Sequence, residues 1–174
     1  MKSEVSCFDT DADPDGSGCF LSVLATSRTP TILYPGIEMM MNTQSLRDIF
    51  TDEVLAELFP ARRADDFFEA LFGDAAEGAF DIRLRFQGFS ESASILQFSL
   101  DLLERPGCCL VCSLTYGLPE VFSRHPVINI KGLVGDIQSR LGGQAVCTDW
   151  KLGRTVQRGK SLHAIPLTIT VQAP

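Results

Sequence analysis

Between residues 80 and 87 the chain alternates strictly: Phe80, Ile82, Leu84 and Phe86 are apolar, and Asp81, Arg83, Arg85 and Gln87 are polar. Side chains along a strand point to opposite faces in turn, so a period of two demands a strand with one buried and one wet face. Leu96, Phe98, Leu100 and Leu102 repeat the pattern against Gln97, Ser99 and Asp101. Two such strands need an apolar layer on one side only.

The same chain supplies helices for that layer. Leu46, Ile49, Phe50, Val54 and Leu58 recur at helical spacing, with Thr51-Asp52-Glu53 as a restart and Pro60 beyond the end. Ala64–Phe72 reads as a second helix, with Asp65 and Asp66 at its positive end, Phe67, Phe68, Leu71 and Phe72 on its apolar side and Gly73 as its stop. Pro119 opens a short helical turn over Leu118–His125. A further helix is expected from about Gly132 to Leu141, ended by Gly142-Gly143.

Val146–Leu152 and Leu162–Val171 close the chain as strands, and Pro166 marks the last as an edge strand or a bulged one. Phe20–Ala25 and Thr31–Met40 are also strand-like. The expectation is therefore α+β: a mainly antiparallel sheet with three or four helices packed on it, one domain over 18–174 behind a solvated acidic tail over 1–17.

Pro106-Gly107 is expected to reverse the chain into a strand over Cys109–Tyr116. A two-residue loop sets Leu102 opposite Val111. A three-residue loop sets Leu102 opposite Cys112, Leu100 opposite Leu114 and Phe98 opposite Tyr116, which puts every apolar residue on one face and is preferred.

With 174 residues and 45% of them hydrophobic, a single core is within reach. Charge is uneven: residues 1–79 hold fifteen Asp/Glu against five Lys/Arg, and residues 80–174 hold seven against ten. The acidic half argues against general nucleic-acid or anionic-membrane binding, and the basic half leaves room for a small anionic ligand. No apolar run approaches the roughly 18–20 residues of a membrane span. The opening Met1-Lys2-Ser3-Glu4 does not resemble a signal peptide, so a cytoplasmic location is expected. The six cysteines are then expected to be buried thiols.

Four features carry possible chemistry. Cys109-Leu110-Val111-Cys112 has a CxxC spacing beside Cys108, but residues three apart on a strand face opposite ways about 10 Å apart, too far to share a metal. Cys109 near Arg105 is a candidate nucleophile, with His125 or His163 as its base. A metal set would draw on Cys109, Cys112, Cys147 and His163, although no metal or other cofactor is expected. Asp11-Ala12-Asp13-Pro14-Asp15-Gly16 opens like a calcium loop, yet its twelfth position is Ser22 where a bidentate Glu belongs.

Gly132-Leu133-Val134-Gly135 resembles the Gly-x-x-Gly loop of KH-type RNA-binding domains, but its middle pair is apolar. Walker-type, dinucleotide, Gly-x-Ser-x-Gly and His-Glu-x-x-His patterns are absent from the sequence. Lys151, Arg154, Arg158 and Lys160, beside Trp150, form a basic hairpin suited to an anion or a protein contact, with Arg105 a further ligand candidate. These features point first to a non-catalytic ligand- or protein-binding module, self-associating through an edge strand. The alternative is a cysteine-dependent enzyme or a thiol redox or metal protein built on Cys108–Cys112.

Overall fold

The computed structural model describes residues 41–109 and 117–174. Among them the order is α1 (Thr43–Ile49), α2 (Asp52–Leu58), α3 (Arg62–Phe72), a single 3-10 turn (Ala75–Glu77), β1 (Phe80–Ser90), β2 (Ile95–Glu104), α4 (Leu118–Arg124), α5 (Ile130–Arg140), β3 (Val146–Leu152), β4 (Val156–Gln157) and β5 (Leu162–Gln172). The sheet runs β1-β2-β5-β3, with β4 on β5 beyond the end of β3, and every pairing is antiparallel. The described residues form a single α+β domain, the class expected from the alternating strands. The five helices exceed the expected three or four because the 46–58 stretch divides at Phe50, and Thr51 caps α2 by accepting from the Val54 amide.

Local chemistry sets the helix ends. Asn42 and Ser45 form a reciprocal capping box on α1, Gly73 ends α3 at φ 85°, and Gly117 precedes α4 in the same left-handed region. The last helix starts at Ile130, two residues before the expected Gly132, because the Asn129 side chain accepts from the Gly132 amide. Gly132 and Gly135 thus lie inside α5 and form no loop of the KH kind.

The core lies between one sheet face and the helices. Phe80, Ile82 and Leu84 of β1, Leu96, Phe98, Leu100 and Leu102 of β2, and Ile165, Leu167, Ile169 and Val171 of β5 are all buried there. Phe50 packs at a tilt against Phe86 and edge to face against Phe98, and Phe68 meets Phe80 edge to face. Phe67 and Phe68 are buried as expected, whereas Leu71 and Phe72, in the last turn of the same helix, are exposed.

Two register expectations are corrected. The hairpin after Pro106 cannot lie beside β2, because both of its edges are taken: Leu102 faces Ile82 and His163, Leu100 faces Leu84 and Ile165, and Phe98 faces Phe86 and Leu167. The pattern of apolar residues in 96–102 is satisfied by β1 and β5 instead, and residues 110–116, with Cys112, lie outside the described residues. Nor is β5 an edge strand. Pro166 turns its backbone toward the interval between β3 and β4, where its carbonyl accepts from the Gly153 amide at 2.7 Å. A missing N–H at that interval removes no ladder bond.

Candidate functional site

Each sequence candidate is placed by these elements, beginning with Arg105. Its Nε donates to Asp81 at 2.8 Å, its Nη1 to the Ala75 carbonyl at 2.9 Å, and its Nη2 pairs with Asp65 of α3. The guanidinium also lies 5.7 Å from the Phe68 ring centre. Burial pulls its pKa down, but the hydrogen bonds and charges of Asp65 and Asp81 outweigh this and hold it above the ordinary arginine value. Such a side chain is consumed in tying α3, the 3-10 turn and β1 together, and little of it remains for a ligand or for activating a thiol.

Of the three described cysteines, Cys108 and Cys147 are half-buried and Cys109 is exposed, where buried thiols were expected; Cys7, Cys19 and Cys112 lie outside the described residues. Cys147 pairs with Val171 and lies near one end of β5, while His163 pairs with Gln157 near the other. Eight residues of strand separate Val171 from His163, about 27 Å at 3.4 Å per residue. Cys147 and His163 therefore cannot share a metal. No cluster of three potential metal ligands occurs among the described residues. Burial raises the Cys147 thiol pKa above its ordinary value, away from nucleophilic use. The segment that opens like a calcium loop, 11–22, lies outside the described residues.

His125 caps the end of α4, packs edge-on to Phe67 at 4.8 Å, and accepts from the Val127 amide through Nδ1 at 3.3 Å. His163 faces the core, 6% exposed, but its Nδ1 has no hydrogen-bond partner among the described residues, and neither does the buried Thr155 Oγ1. Sequence parity located His163 correctly.

The basic stretch is divided by the sheet. Trp150 faces Ile169 on the helix side and packs against the core, whereas Lys151 faces Thr168 on the opposite side. Arg154 lies between β3 and β4, and Arg158 and Lys160 lie in the turn before β5. All four cations are exposed, and none makes an ion pair with a described residue.

Described residues line two recesses of note. One of about 350 Å³, half open, is lined by Met41, Phe89, Ala145, Thr170 and Val171 among others. A smaller one of about 80 Å³ sits among Phe67, Phe68, Phe72, Phe80 and Leu118. Neither gathers the titratable groups that a catalytic reading needs.

The feature with the most directed hydrogen-bonding capacity is the outer edge of β1. The Arg105 amide donates to the Ala79 carbonyl and the Glu104 amide to the Ser161 carbonyl, both at 3.0 Å. Odd-numbered residues of β2 thus turn their backbone groups toward β1, and even-numbered ones toward β5. Carried across the register, Asp81, Arg83 and Arg85 bond to β2, while Phe80, Ile82, Leu84 and Phe86 aim N–H and C=O away from it. No described residue bonds to those outward groups. The strand is closed further along: the register slips between Phe86 and Gly88, and Thr43 Oγ1 of α1 donates to the Phe89 carbonyl at 3.3 Å.

Side chains beside this edge are charged. Asp101, buried across from Arg83, accepts from Ser99 at 2.7 Å and pairs diagonally with Arg85 at 3.1 Å. Arg83 itself is exposed and makes no ion pair with a described residue.

No family model, curated protein or solved structure shows a significant match to the chain. The sequence points to an edge strand as the contact without saying which strand that is. The available signal was the alternation at 80–86, which identifies a half-buried strand without telling how many neighbours it has.

Proposed function

We propose that the chain is a non-catalytic protein-binding module that takes up an extended segment of its partner along the outer edge of β1. The observation that carries this reading is the row of outward backbone groups at Phe80, Ile82, Leu84 and Phe86, on a strand whose side chains are already packed. An edge of this kind is a template: main-chain bonds supply affinity, and flanking side chains supply choice of partner. The commitment of Arg105 to Asp65, Asp81 and Ala75, together with the separation of Cys147 from His163, supports a binding role over a cysteine-centred reaction.

Amide hydrogen exchange on dilute protein tests the reading. Ile82 and Leu84 amides should exchange on the order of a hundredfold faster than those of Arg83 and Arg85, which bond to β2. Equal protection of all four in dilute protein would sink it.

A further inference from the structure

We infer that the partner at this edge is a second copy of the chain, paired β1 to β1 in antiparallel register about a two-fold axis at Ile82. The inference rests on the reading of the β1 edge given above and adds to it the identity of the partner and the register.

The register follows from parity and charge. The outward groups belong to even-numbered residues, so only even positions can exchange backbone bonds with even positions of the other copy. Centring the axis on Ile82 sets Phe80 opposite Leu84 and Ile82 opposite itself. About six backbone hydrogen bonds then form across the three pairs. The intervening positions do not exchange backbone bonds, and their side chains approach most closely. There, Asp81 of each copy meets Arg83 of the other.

Neighbouring registers are worse. An axis at Arg83 gains paired length and sets Asp81 against Arg85, but that arginine is already held by Asp101 and Arg83 meets Arg83; an axis at Asp81 sets Asp81 against Asp81, and an axis at Leu84 sets Arg83 against Arg85. Like charges directly opposite destabilise a strand pair. The two charges of the favoured register are also available. Asp81 is 59% exposed even while it accepts from Arg105, and Arg83 is the arginine that Asp101 leaves to Arg85's advantage. The slip after Phe86 and the Thr43 bond to Phe89 confine pairing to the first part of the strand.

The interface is isologous, so residue i meets residue j and j meets i. Two single reversals, Arg83→Asp and Asp81→Lys, each place like charges at both contacts of a homodimer. Mixed together they restore opposite charges at both: Asp81 meets Arg83, and the new Asp meets the new Lys. Sedimentation across a concentration series reads the assembly, circular dichroism reports the fold of each variant, and amide exchange at Ile82 and Leu84 reports the edge.

The expected result is a dimer of the unaltered chain whose Ile82 and Leu84 amides become protected as concentration rises. Each variant alone should dissociate at least tenfold more readily, and the mixture should recover the dimer. A dimer indifferent to both reversals overturns the register. A monomer at every concentration with fast Ile82 and Leu84 exchange overturns self-pairing while leaving the edge-binding reading intact. A monomer whose Ile82 and Leu84 amides are protected overturns both.

Discussion

Among the described residues the sheet has two edges, and they are finished differently. On the β3 side the register slips between Cys147 and Asp149, the strand ends at Leu152, and β4 resumes on β5 for two residues. Gly153, Arg154 and Thr155 fill the interval, and Lys151, Arg154, Arg158 and Lys160 are exposed along it. Short, bulged and cationic, this edge has the features that discourage pairing. On the β1 side the first seven residues of an eleven-residue strand are regular. A rigid aromatic group stands behind them, with Phe50, Phe86 and Phe98 meeting at 5.2–5.3 Å. The difference teaches that this fold closes one edge by breaking it and keeps the other straight by packing it.

The largest effect should come from removing that packing. Phe50 is 4% exposed and touches both β1 and β2 through its ring contacts. Phe50→Ala is expected to cost about 3–5 kcal/mol, lowering Tm by roughly 10 °C or more for a chain of this size. Trp150, on β3, is only partly buried against the core, and Trp150→Ala should cost less than half as much. Equal losses in denaturant titrations of the two variants would show that both edges are anchored alike.

Glycines at the edges offer a finer contrast. A Cβ on Gly78, just before β1, would sit 2.7 Å from Arg105 Nη1 and 2.8 Å from Phe68 Cγ. The guanidinium is pinned by Asp65, Asp81 and Ala75, and the ring is buried, so neither can yield cheaply. Gly78→Ala should therefore cost about 1–3 kcal/mol. On the other edge, a Cβ on Gly153 would meet the Pro166 ring at 3.2 Å, where a few tenths of an ångström of movement suffices. Gly153→Ala should cost under about 1 kcal/mol. The reverse order, measured by urea midpoints, would mean that the β3 end is the tighter of the two.

How much of this contrast could be read beforehand depends on whether a feature is local. The alternation of Phe80–Phe86 and Leu96–Leu102 gave strands and faces, Gly73 gave a helix end, and Thr51 marked the restart of α2, because periodicity and caps are written within a few residues. Neighbours are not local. Both Leu84 and Ile165 satisfy Leu100, and nothing in 96–102 distinguishes them from the hairpin strand expected after Pro106. Pro166 suggested an edge because proline cannot donate. Its tolerance inside the sheet depends on where β3 stops, a fact about another strand. Arg105 resembled a ligand group until Asp65, forty positions away, came to it through α3. The four basic residues of 151–160 were grouped by sequence, but Trp150 and Lys151 had to part across the sheet because adjacent strand residues always do.

The smallest expected effect concerns Cys147, which reports whether the β3 edge is sealed by its helix. Its amide donates to Gln138 Oε1 of α5 at 3.0 Å, and burial raises its thiol pKa. At neutral pH it should react with iodoacetamide several-fold more slowly than glutathione does, since the thiolate is the reacting form. The same shift has a sign in stability. A thiol whose pKa is higher folded than unfolded favours the folded state while it is neutral. That contribution is whole below the ordinary thiol value near 9 and is lost as pH rises through the raised one. Unfolding free energy measured in urea should thus fall less steeply with alkaline pH in Cys147→Ala than in the unaltered chain. Identical alkaline slopes, or alkylation at the rate of glutathione, would show β3 to be as open beside α5 as β1 is along Phe80–Phe86, and the two edges would then differ in length alone.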